Sequence, residues 1–324
     1  MQSNTLTSEA SRKTLQKAEK SQLRRSYLAN FRSYWDLYLL MIPGIIYFIV
    51  FKYVPMAGIV IAFQDFSIFA GFTGSEWVGL EHFRNMFSDP QFYSIFRNTL
   101  LISLYKIVWG FPGPIVLALL LNEIKHMFFK RTVQTLAYLP HFLSWVILGG
   151  ILITLLSPTS GTINKLLVFM GLEPIFFLAN PAWFRTVLVA SDIWKDVGWG
   201  AIIYLAALAS IDPQLYEAAV VDGANKWKQL WHITLPSLTS TIIILFLLRL
   251  GHVLDVGFEQ IFILYNSLVY QVADVFETYV YRTGIAQAEF SYTTAIGLFK
   301  SVVSLIFVLV ANKLVKKFGQ DGLY

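Results

Sequence analysis

Six long apolar runs, separated by polar connections, most constrain how this chain can fold. They lie at about residues 37–63, 98–121, 136–156, 186–210, 236–254 and 294–312. Each run has about 19 to 27 residues, enough for a helix that rises 1.5 Å per residue to cross a hydrocarbon core about 30 Å thick. We therefore predict an all-α membrane protein with six transmembrane helices. The polar stretch at 255–293 is interpreted as a long loop.

The composition agrees with a membrane protein. Of the 324 residues, 56% are hydrophobic and only 14% are charged, whereas roughly a quarter are charged in soluble domains. The absence of cysteine excludes disulfide bonds and thiolate metal sites. A net charge of +5 does not indicate a nucleic-acid partner, because in a membrane protein the distribution of basic residues matters more than their sum. We expect membrane lipid as a partner and no nucleic acid.

Two of the runs contain helix-breaking residues. The first run includes Pro43 and Pro55 with Lys52 between them, and the second includes the sequence GFPGP at 110–114. Proline removes a helical hydrogen bond and clashes with the preceding turn. We therefore predict a kink in the first helix and a bend or break in the second.

The basic residues orient the chain. Six crossings place both termini on one side, which divides the protein into an arm at 1–36, a six-span domain at 37–312 and a tail at 313–324. The arm, the connection at 122–135, the loop at 211–236 and the tail hold fifteen lysines and arginines, whereas the opposite loops hold five. By the positive-inside rule, both termini and the 211–236 loop face the cytoplasm.

The loop at 211–236 has the pattern of two short helices joined by a bend. Asp212 can cap the first helix, Pro213 suits its first position, and Gly223 can end it. Pro236 opens the next apolar run. A hairpin of this size cannot fold alone, so we expect it to dock onto something outside the membrane.

No catalytic or metal-binding pattern is present in the sequence. The phosphate-binding motif GxxxxGK[ST] is absent, and its nearest fragment, Gly297–Ser301, is too short. The five histidines form no HExxH pair, and no serine lies in a GxSxG setting. The chain therefore does not hydrolyse a nucleotide by this mechanism, and a membrane-bound enzyme is a poor alternative.

The same loop resembles a known family. The order Glu-Ala-Ala, three residues, Gly, nine residues, Ile-x-Leu-Pro is similar to the cytoplasmic loop of the membrane subunits of bacterial ATP-binding-cassette importers. The run SDIWKDVGWGAIIYLAALASIDPQLYEAAVVDGANKW resembles the carbohydrate branch of that family, and the resemblance covers about residues 35–318. It implies the type I importer permease fold and a carbohydrate cargo, an oligosaccharide or a polysaccharide such as acidic alginate.

The resemblance also implies how the loop works. In the family, this loop is a coupling helix that sits in a groove of a cytoplasmic ATPase, whose closure would rock spans four and five. Glu217 is at the position that meets a basic residue there. The small alanines permit close approach, and Gly223 permits the turn. The expected coupling residues are Glu217, Ala218, Ala219, Asp222, Gly223, Ile233, Leu235 and Pro236.

The implied partners are a second permease in a heterodimer, two ATP-binding subunits or copies, and a periplasmic or extracellular substrate-binding protein. ATP and Mg would be held by the ATPase, so we expect no cofactor on this chain. The implied location is the bacterial cytoplasmic (inner) membrane, crossed several times. The alternatives are a permease for small neutral sugars or glycerol phosphate, and an ATP-independent secondary transporter or channel.

Polar residues within spans four and five are candidates for the substrate pathway. Lys195 and Arg249 lie fifteen and thirteen residues from the cytoplasmic ends of their spans, roughly 20 Å deep at 1.5 Å per residue. Trp199 shares the helix face of Lys195 and suits a sugar ring, whereas Asp196 and Asp255 can bind hydroxyls or neutralise the cations. If the cations are free, an acidic sugar fits better than a neutral one.

A structural role for these charges is the competing interpretation. Asp192 and Lys195 are i, i+3 neighbours and can form an internal ion pair, with Arg249 pairing to the partner subunit. The sequence does not decide between this interpretation and a substrate pathway.

Overall fold

A computed structural model describes residues 33–317, and these are predominantly helical. Residues 1–32 of the predicted arm and 318–324 of the predicted tail lie outside the described residues, so both boundaries stay predictions. The chain forms two compact units, divided between Val60 and Ile61.

The described part of the first unit is a long apolar helical segment. Helix α1 spans Trp35–Phe48 and continues through a π turn at Ile49–Tyr53 and a short helical segment at Val54–Met56 into a 3-10 helix at Ala57–Phe63, which crosses the boundary between the units. None of the side chains of α1 is buried. An exposed apolar surface of this extent is expected to contact lipid or a partner chain.

The second unit contains a two-stranded antiparallel sheet, in which Gln64 pairs with Trp77. A π turn at Lys106–Gly110 joins α4 to α5, and a 3-10 turn at Leu139–Phe142 follows α6. Helix α6 occupies most of the connection predicted at 122–135. In chain order the elements are β1 Gln64–Asp65, α2 Gly71–Gly74, β2 Glu76–Trp77, α3 Glu81–Ser88, α4 Pro90–Tyr105, α5 Pro112–Glu123, α6 Met127–Tyr138 and α7 Trp145–Leu155.

The remainder of the second unit is also helical. Further π turns lie at Leu230–Thr234 and Tyr281–Ala286, and a 3-10 turn lies at Ser267–Val269. The helices are α8 Thr162–Phe169, α9 Pro181–Ala209, α10 Pro213–Val221, α11 Lys226–Gln229, α12 Leu235–Gly251, α13 Phe258–Leu264, α14 Tyr270–Ala273, α15 Phe276–Val280 and α16 Phe290–Lys317.

Four described helical runs are long and apolar enough to cross a membrane. They are Trp35–Phe63, Pro90–Glu123, Lys226–Gly251 and Phe290–Lys317. A fifth crossing results if Met127–Phe142 and Trp145–Leu155, which meet at 104°, act as one span. Helix α9 has 29 residues but carries four charged side chains and is not among these runs. The predicted count of six spans stays a prediction.

Three of the π turns share one feature, which is a proline two residues after the turn ends. They are Ile49–Tyr53 before Pro55, Lys106–Gly110 before Pro112, and Leu230–Thr234 before Pro236. A proline ring clashes with the carbonyl four residues earlier in a regular helix, and the wider π turn relieves that clash. The GFPGP sequence therefore bends the backbone locally, while the helical run from Pro90 to Glu123 continues through it.

Helix α9 is the central element of the second unit and packs against α5, α6 and α12. Two of its glycines permit this close approach. A Cβ atom at Gly198 would collide with the backbone carbonyl of Ala137 on α6, and one at Gly200 would lie 2.8 Å from the ring of Pro114 on α5. Larger residues at these positions would push the helices apart.

The segment at 255–293 is folded into short helices and contributes to the hydrophobic core, so its interpretation as a long loop is wrong. Ile261, Val269 and Val275 pack against Phe184 and Leu188 of α9 in one hydrophobic cluster. Its helices have only four to seven residues, which is too short for a periodic apolar pattern to appear in the sequence. Contacts with distant helices bury this segment.

Candidate functional site

The predicted hairpin is present, and local hydrogen bonds define its first helix. The Asp212 carboxylate accepts a hydrogen bond of 2.9 Å from the backbone N–H of Gln214, and Pro213 occupies the first turn of α10. The predicted cap is thereby confirmed. Asn225 caps α11 in the same way, because its side-chain oxygen accepts from the Lys228 N–H at 2.9 Å.

Gly223 turns the chain between the two helices. Its φ of +73° lies in the left-handed region, and no atom lies within 4 Å of where a Cβ would be. The Gly223 N–H donates to the carbonyl of Val220 at 3.0 Å, and the Ala224 N–H donates to the carbonyl of Ala219 at 2.8 Å. Glycine is required here because of the backbone angle, as in other helix C-terminal turns.

The second short helix is the beginning of the next membrane run. Helix α11 has four residues and passes through a π turn into α12, so that Lys226–Gly251 is one run of 26 residues. The Tyr216 hydroxyl lies 3.0 Å from Thr234 Oγ1, and Gln229 Nε2 donates to the Ala224 carbonyl at 3.0 Å. These contacts tie α10 to the base of α12.

The hairpin presents a carboxylate beside an apolar surface. Among the expected coupling residues, Ala219, Ile233 and Leu235 are half-buried. The exposed ones are Glu217, Ala218, Asp222, Gly223 and Pro236. Val221 and Trp227 nearby are 87% and 70% exposed. Exposed apolar patches of this kind are typical of surfaces that contact another protein or the membrane.

A central cavity of about 360 Å³ lies between the α4–α5 junction, α9 and α12. Of the five substrate candidates, Asp196, Trp199 and Arg249 line it, whereas Lys195 and Asp255 do not. Further polar side chains in the wall are Lys106, His141, Asp192 and Tyr204.

Lys106 was missed by the sequence reasoning. Its side chain is only 3% exposed, and its ammonium donates to Asp192 Oδ1 and Gln260 Oε1, both at 2.6 Å, and to the Val256 carbonyl at 2.9 Å. Gln260 is held in turn by the carbonyl of Leu188. A buried charge requires such complete pairing. A lone lysine within a membrane run was the available signal.

Arg249 is the more accessible cation of the central cavity. Its guanidinium lies 4.0 Å from Asp192 Oδ2, at the limit of an ion pair, and its side chain is 42% exposed. Asp192 is bonded more tightly to Lys106. Arg249 therefore keeps N–H donors that can reach a ligand in the cavity.

Lys195 has a different position from the one expected for a pathway residue. Its ammonium donates to the backbone carbonyls of His141 at 2.9 Å and Leu143 at 2.5 Å. These carbonyls end the helical turn at which the chain bends by 104°, and a cation is favourable at such a terminus. The i, i+3 pair of Lys195 with Asp192 is not formed, because Asp192 bonds to Lys106.

An aromatic plate lines one wall of the central cavity. The His141 ring stacks on Trp199 with centroids 4.5 Å apart and planes 2° from parallel, and Phe142 packs edge-on against Trp199. His141 Nδ1 lies 2.8 Å from Asp196 Oδ1. Flat aromatic surface with a few fixed polar groups is typical of small-molecule sites.

Asp255 belongs to a separate charge cluster. Its carboxylate lies 2.5 Å from Lys300 Nζ, which also bonds to Glu277 at 2.8 Å. The structure therefore does not bring Asp255 together with Asp196, Trp199 and Arg249. As for metals, no three histidine, aspartate or glutamate side chains within residues 33–317 converge as a metal site would require.

Known proteins are similar in sequence to this chain over nearly its whole length. A family model described as "Binding-protein-dependent transport system inner membrane component" matches residues 110–320. The polygalacturonan/rhamnogalacturonan transport system permease protein YteP of Bacillus subtilis (strain 168) is 50% identical over 305 residues, which cover 94% of this chain and 95% of that protein.

Solved structures share the fold as well. A bacterial ABC transporter involved in the import of the acidic polysaccharide alginate contains a chain with a TM-score of 0.83 and 43% identity, covering 89% of this chain and 97% of that one. A bacterial alginate ABC transporter in complex with an alginate pentasaccharide-bound periplasmic protein has a TM-score of 0.84 and 42% identity, covering 91% and 98%. These matches confirm the resemblance found in the hairpin: the chain belongs to the family of inner membrane components of binding-protein-dependent transport systems.

Proposed function

We propose that this chain is one of two permease subunits of an ATP-driven importer that moves acidic oligosaccharides or polysaccharides across the bacterial cytoplasmic membrane. The observation that carries the proposal is the exposed Arg249 guanidinium in the same cavity as the His141–Trp199 plate. The cargoes named for the relatives also support an acidic substrate. Polygalacturonan is a polymer of sugar carboxylates, and alginate is described as acidic.

The central cavity supports an acidic sugar in particular. A guanidinium donates paired hydrogen bonds that match the geometry of a carboxylate. Trp199 is 46% exposed and offers a flat apolar face to a sugar ring. Asp196 lines the same cavity, and its carboxylate can accept hydrogen bonds from the hydroxyl groups of the bound sugar. Arg249 is only loosely paired with Asp192, at 4.0 Å, so its guanidinium has donors free for the carboxylate of an acidic sugar.

We also propose six crossings, with α9 as the sixth. Its 29 residues are about 43 Å long at 1.5 Å per residue, which exceeds the hydrocarbon thickness. Its charged residues lower its hydropathy, yet Asp192 and Asp196 line the central cavity and Lys195 bonds to backbone carbonyls. The charge asymmetry of fifteen basic residues against five supports cytoplasmic termini and a cytoplasmic hairpin.

The hairpin is the proposed docking site for the ATPase. Glu217 and Ala218 are exposed, and α11 is continuous with α12, so a force on the hairpin is transmitted along α12 towards Arg249. Alternating access would result when ATPase closure rocks α9 and α12. ATP and Mg belong to the ATPase, and this chain binds no cofactor in the proposal.

The proposed assembly contains a second, different permease, two ATP-binding subunits or copies, and an external substrate-binding protein. The solved transporter in complex with a periplasmic protein supports the last of these. The second permease is supported by the extensive exposed apolar surface of the spans, including α1.

The proposal is tested by reconstituting the complete transporter in lipid nanodiscs and measuring ATPase stimulation by oligogalacturonates and by neutral oligosaccharides of equal length. We expect the acidic sugars to stimulate. Arg249→Gln should raise their half-maximal concentration about tenfold, because a charge-assisted hydrogen bond contributes about 1.5–3 kcal/mol. Stimulation by neutral sugars alone would contradict the acidic cargo, and uptake without ATP would contradict the mechanism.

A further inference from the structure

A second cavity, which we call the side cavity, borders the same helix α9. It has a volume of about 560 Å³ and lies between the N-terminal half of α9 and the end of α4. Its lining includes Tyr105, Trp109, Arg185 and Ile193. The family comparison and the proposed function assign no role to this cavity.

Arg185 makes the side cavity positive. Its Nε donates to the Val272 carbonyl at 3.1 Å and its Nη2 to Asn98 Oδ1 at 2.8 Å. No carboxylate of residues 33–317 lies within 4.0 Å of this guanidinium, and Arg97 on α4 adds a nearby positive charge. Five lysines and arginines of the described second unit do have a carboxylate within that distance, namely Lys106, Lys226, Arg249, Arg282 and Lys300. A half-buried cation without a counter-charge favours an anionic ligand.

Aromatic side chains form the opposite wall of the side cavity. Trp109 is 67% exposed and Tyr105 is 37% exposed. Both line the side cavity, one at the end of α4 and the other in the π turn that follows it. The side cavity thus combines a guanidinium with flat aromatic surface, as the central cavity does with Arg249 and Trp199.

A single aliphatic side chain lies at the junction of the two cavities. Ile193 lines both of them. Ile193 packs against two glycines of span two. A Cβ added at Gly110 would lie 3.7 Å from Ile193 Cγ1, and a Cβ added at Gly113 would lie 3.9 Å from Ile193 Cγ2. From Arg185 to Trp199 the two cavities extend roughly 21 Å along α9 at 1.5 Å per residue, which exceeds the length of one sugar ring.

We propose that the side cavity is a second binding site for a sugar carboxylate, in line with the central cavity, so that two carboxylate-bearing sugars of one chain bind on either side of Ile193. This inference rests on the proposed function. The anionic headgroup of a phospholipid offers the same chemistry as a sugar carboxylate, and the experiment separates the two.

The test compares oligogalacturonates of two lengths on the complete transporter in nanodiscs of zwitterionic phosphatidylcholine, which has no net charge. The readout is the ratio of the half-maximal concentrations for the disaccharide and the pentasaccharide in ATPase stimulation. We expect the wild type to favour the pentasaccharide and Arg185→Gln to reduce that preference about tenfold, because only the longer sugar reaches both cavities. Arg185→Lys should restore most of it, because the charge is kept.

Two tryptophans provide a matched pair of variants. Trp109→Ala should reduce the length preference several-fold through the loss of stacking, whereas Trp194→Ala should leave it unchanged. Trp194 is 42% exposed on α9 and lines neither cavity. The binding protein is the same in all variants, so its own length preference cancels.

Each contrary result has a distinct meaning. An equal loss for both lengths in Arg185→Gln would overturn the second site, because a purely structural lesion acts on both sugars alike. A defect of Arg185→Gln that appears only when anionic phospholipid is added would assign the side cavity to a lipid headgroup. No stimulation of the wild type by either acidic sugar would overturn the proposed function itself.

Discussion

The hairpin and the central cavity are built by opposite means. In the hairpin, each capping bond joins residues two or three apart, such as Asp212 with Gln214 and Asn225 with Lys228. In the cavity, Lys106 bonds to partners 86 and 154 residues away. The caps of the hairpin are therefore specified locally, whereas the cavity charges depend on the packing of the whole second unit.

The largest effect should come from Lys106. Lys106→Met leaves Asp192 without its closest cation, and breaking a buried pair costs about 3–5 kcal/mol. Since Arg249 remains 4.0 Å away, we expect a loss near the lower end of that range. Chemical denaturation of the purified protein in detergent micelles measures it.

The double variant Lys106→Met/Asp192→Leu is the matched control, because it removes both charges. We expect it to recover most of the lost stability, since an apolar pair of similar volume replaces a buried ion pair at little cost. A double variant that is no more stable than Lys106→Met would show that the pair does not hold this part of the unit together.

Glu217→Lys should abolish co-purification with the ATP-binding subunit while leaving the permease folded. Glu217 is exposed, so its replacement disturbs no core contact, whereas reversing a charge at an interface costs about 2–5 kcal/mol of binding. Glu173→Lys is the control, because this exposed carboxylate lies between α8 and α9, away from the hairpin. Unchanged co-purification of Glu217→Lys would remove the hairpin from the docking surface.

Gly223→Ala should weaken the hairpin by about 1–2 kcal/mol, the cost of a left-handed backbone angle for a residue with a Cβ. Gly223→Asn should cost less, because asparagine tolerates that angle. Hydrogen exchange of the amides at 218–225 reports this local loss. Equal exchange in both variants would contradict the conformational explanation.

The smallest effect should come from the ion pair between Glu123 and Lys226, at 3.1 Å. Both side chains are more than half exposed, so Glu123→Gln should change the unfolding free energy by less than about 1 kcal/mol. A larger loss in the same denaturation experiment would mean that the pair fixes the hairpin on α5.

The features that could be predicted from the sequence are those that depend on residues close together in the chain. The caps and the turn follow from Asp212 and Gly223, and the apolar runs are long enough to be recognised individually. The spacing from Glu-Ala-Ala to Ile-x-Leu-Pro was not needed to predict the bend of the hairpin, because the capping residue Asp212 and the turn residue Gly223 indicate it. The same spacing did identify the family.

The remainder was not predictable because it depends on partners brought together by packing. Asp192 and Lys195 are three residues apart on one helix, so an ion pair between them was expected. Asp192 instead forms its ion pair with Lys106, which lies on another part of the chain. The short helices of 255–293 are buried by contacts with α9 that no local pattern encodes. Side-chain burial in this region is a property of the assembled unit.

The π turns that precede Pro55, Pro112 and Pro236 have a consequence for mapping the surface of this protein. One extra residue in a turn rotates every later side chain by about 100° relative to an uninterrupted helix. A helical wheel drawn with a single period through Pro90–Glu123 therefore assigns residues after Gly110 to the wrong face. Lipid-facing and cavity-facing positions should be plotted separately on each side of these turns when labelling or scanning positions are chosen.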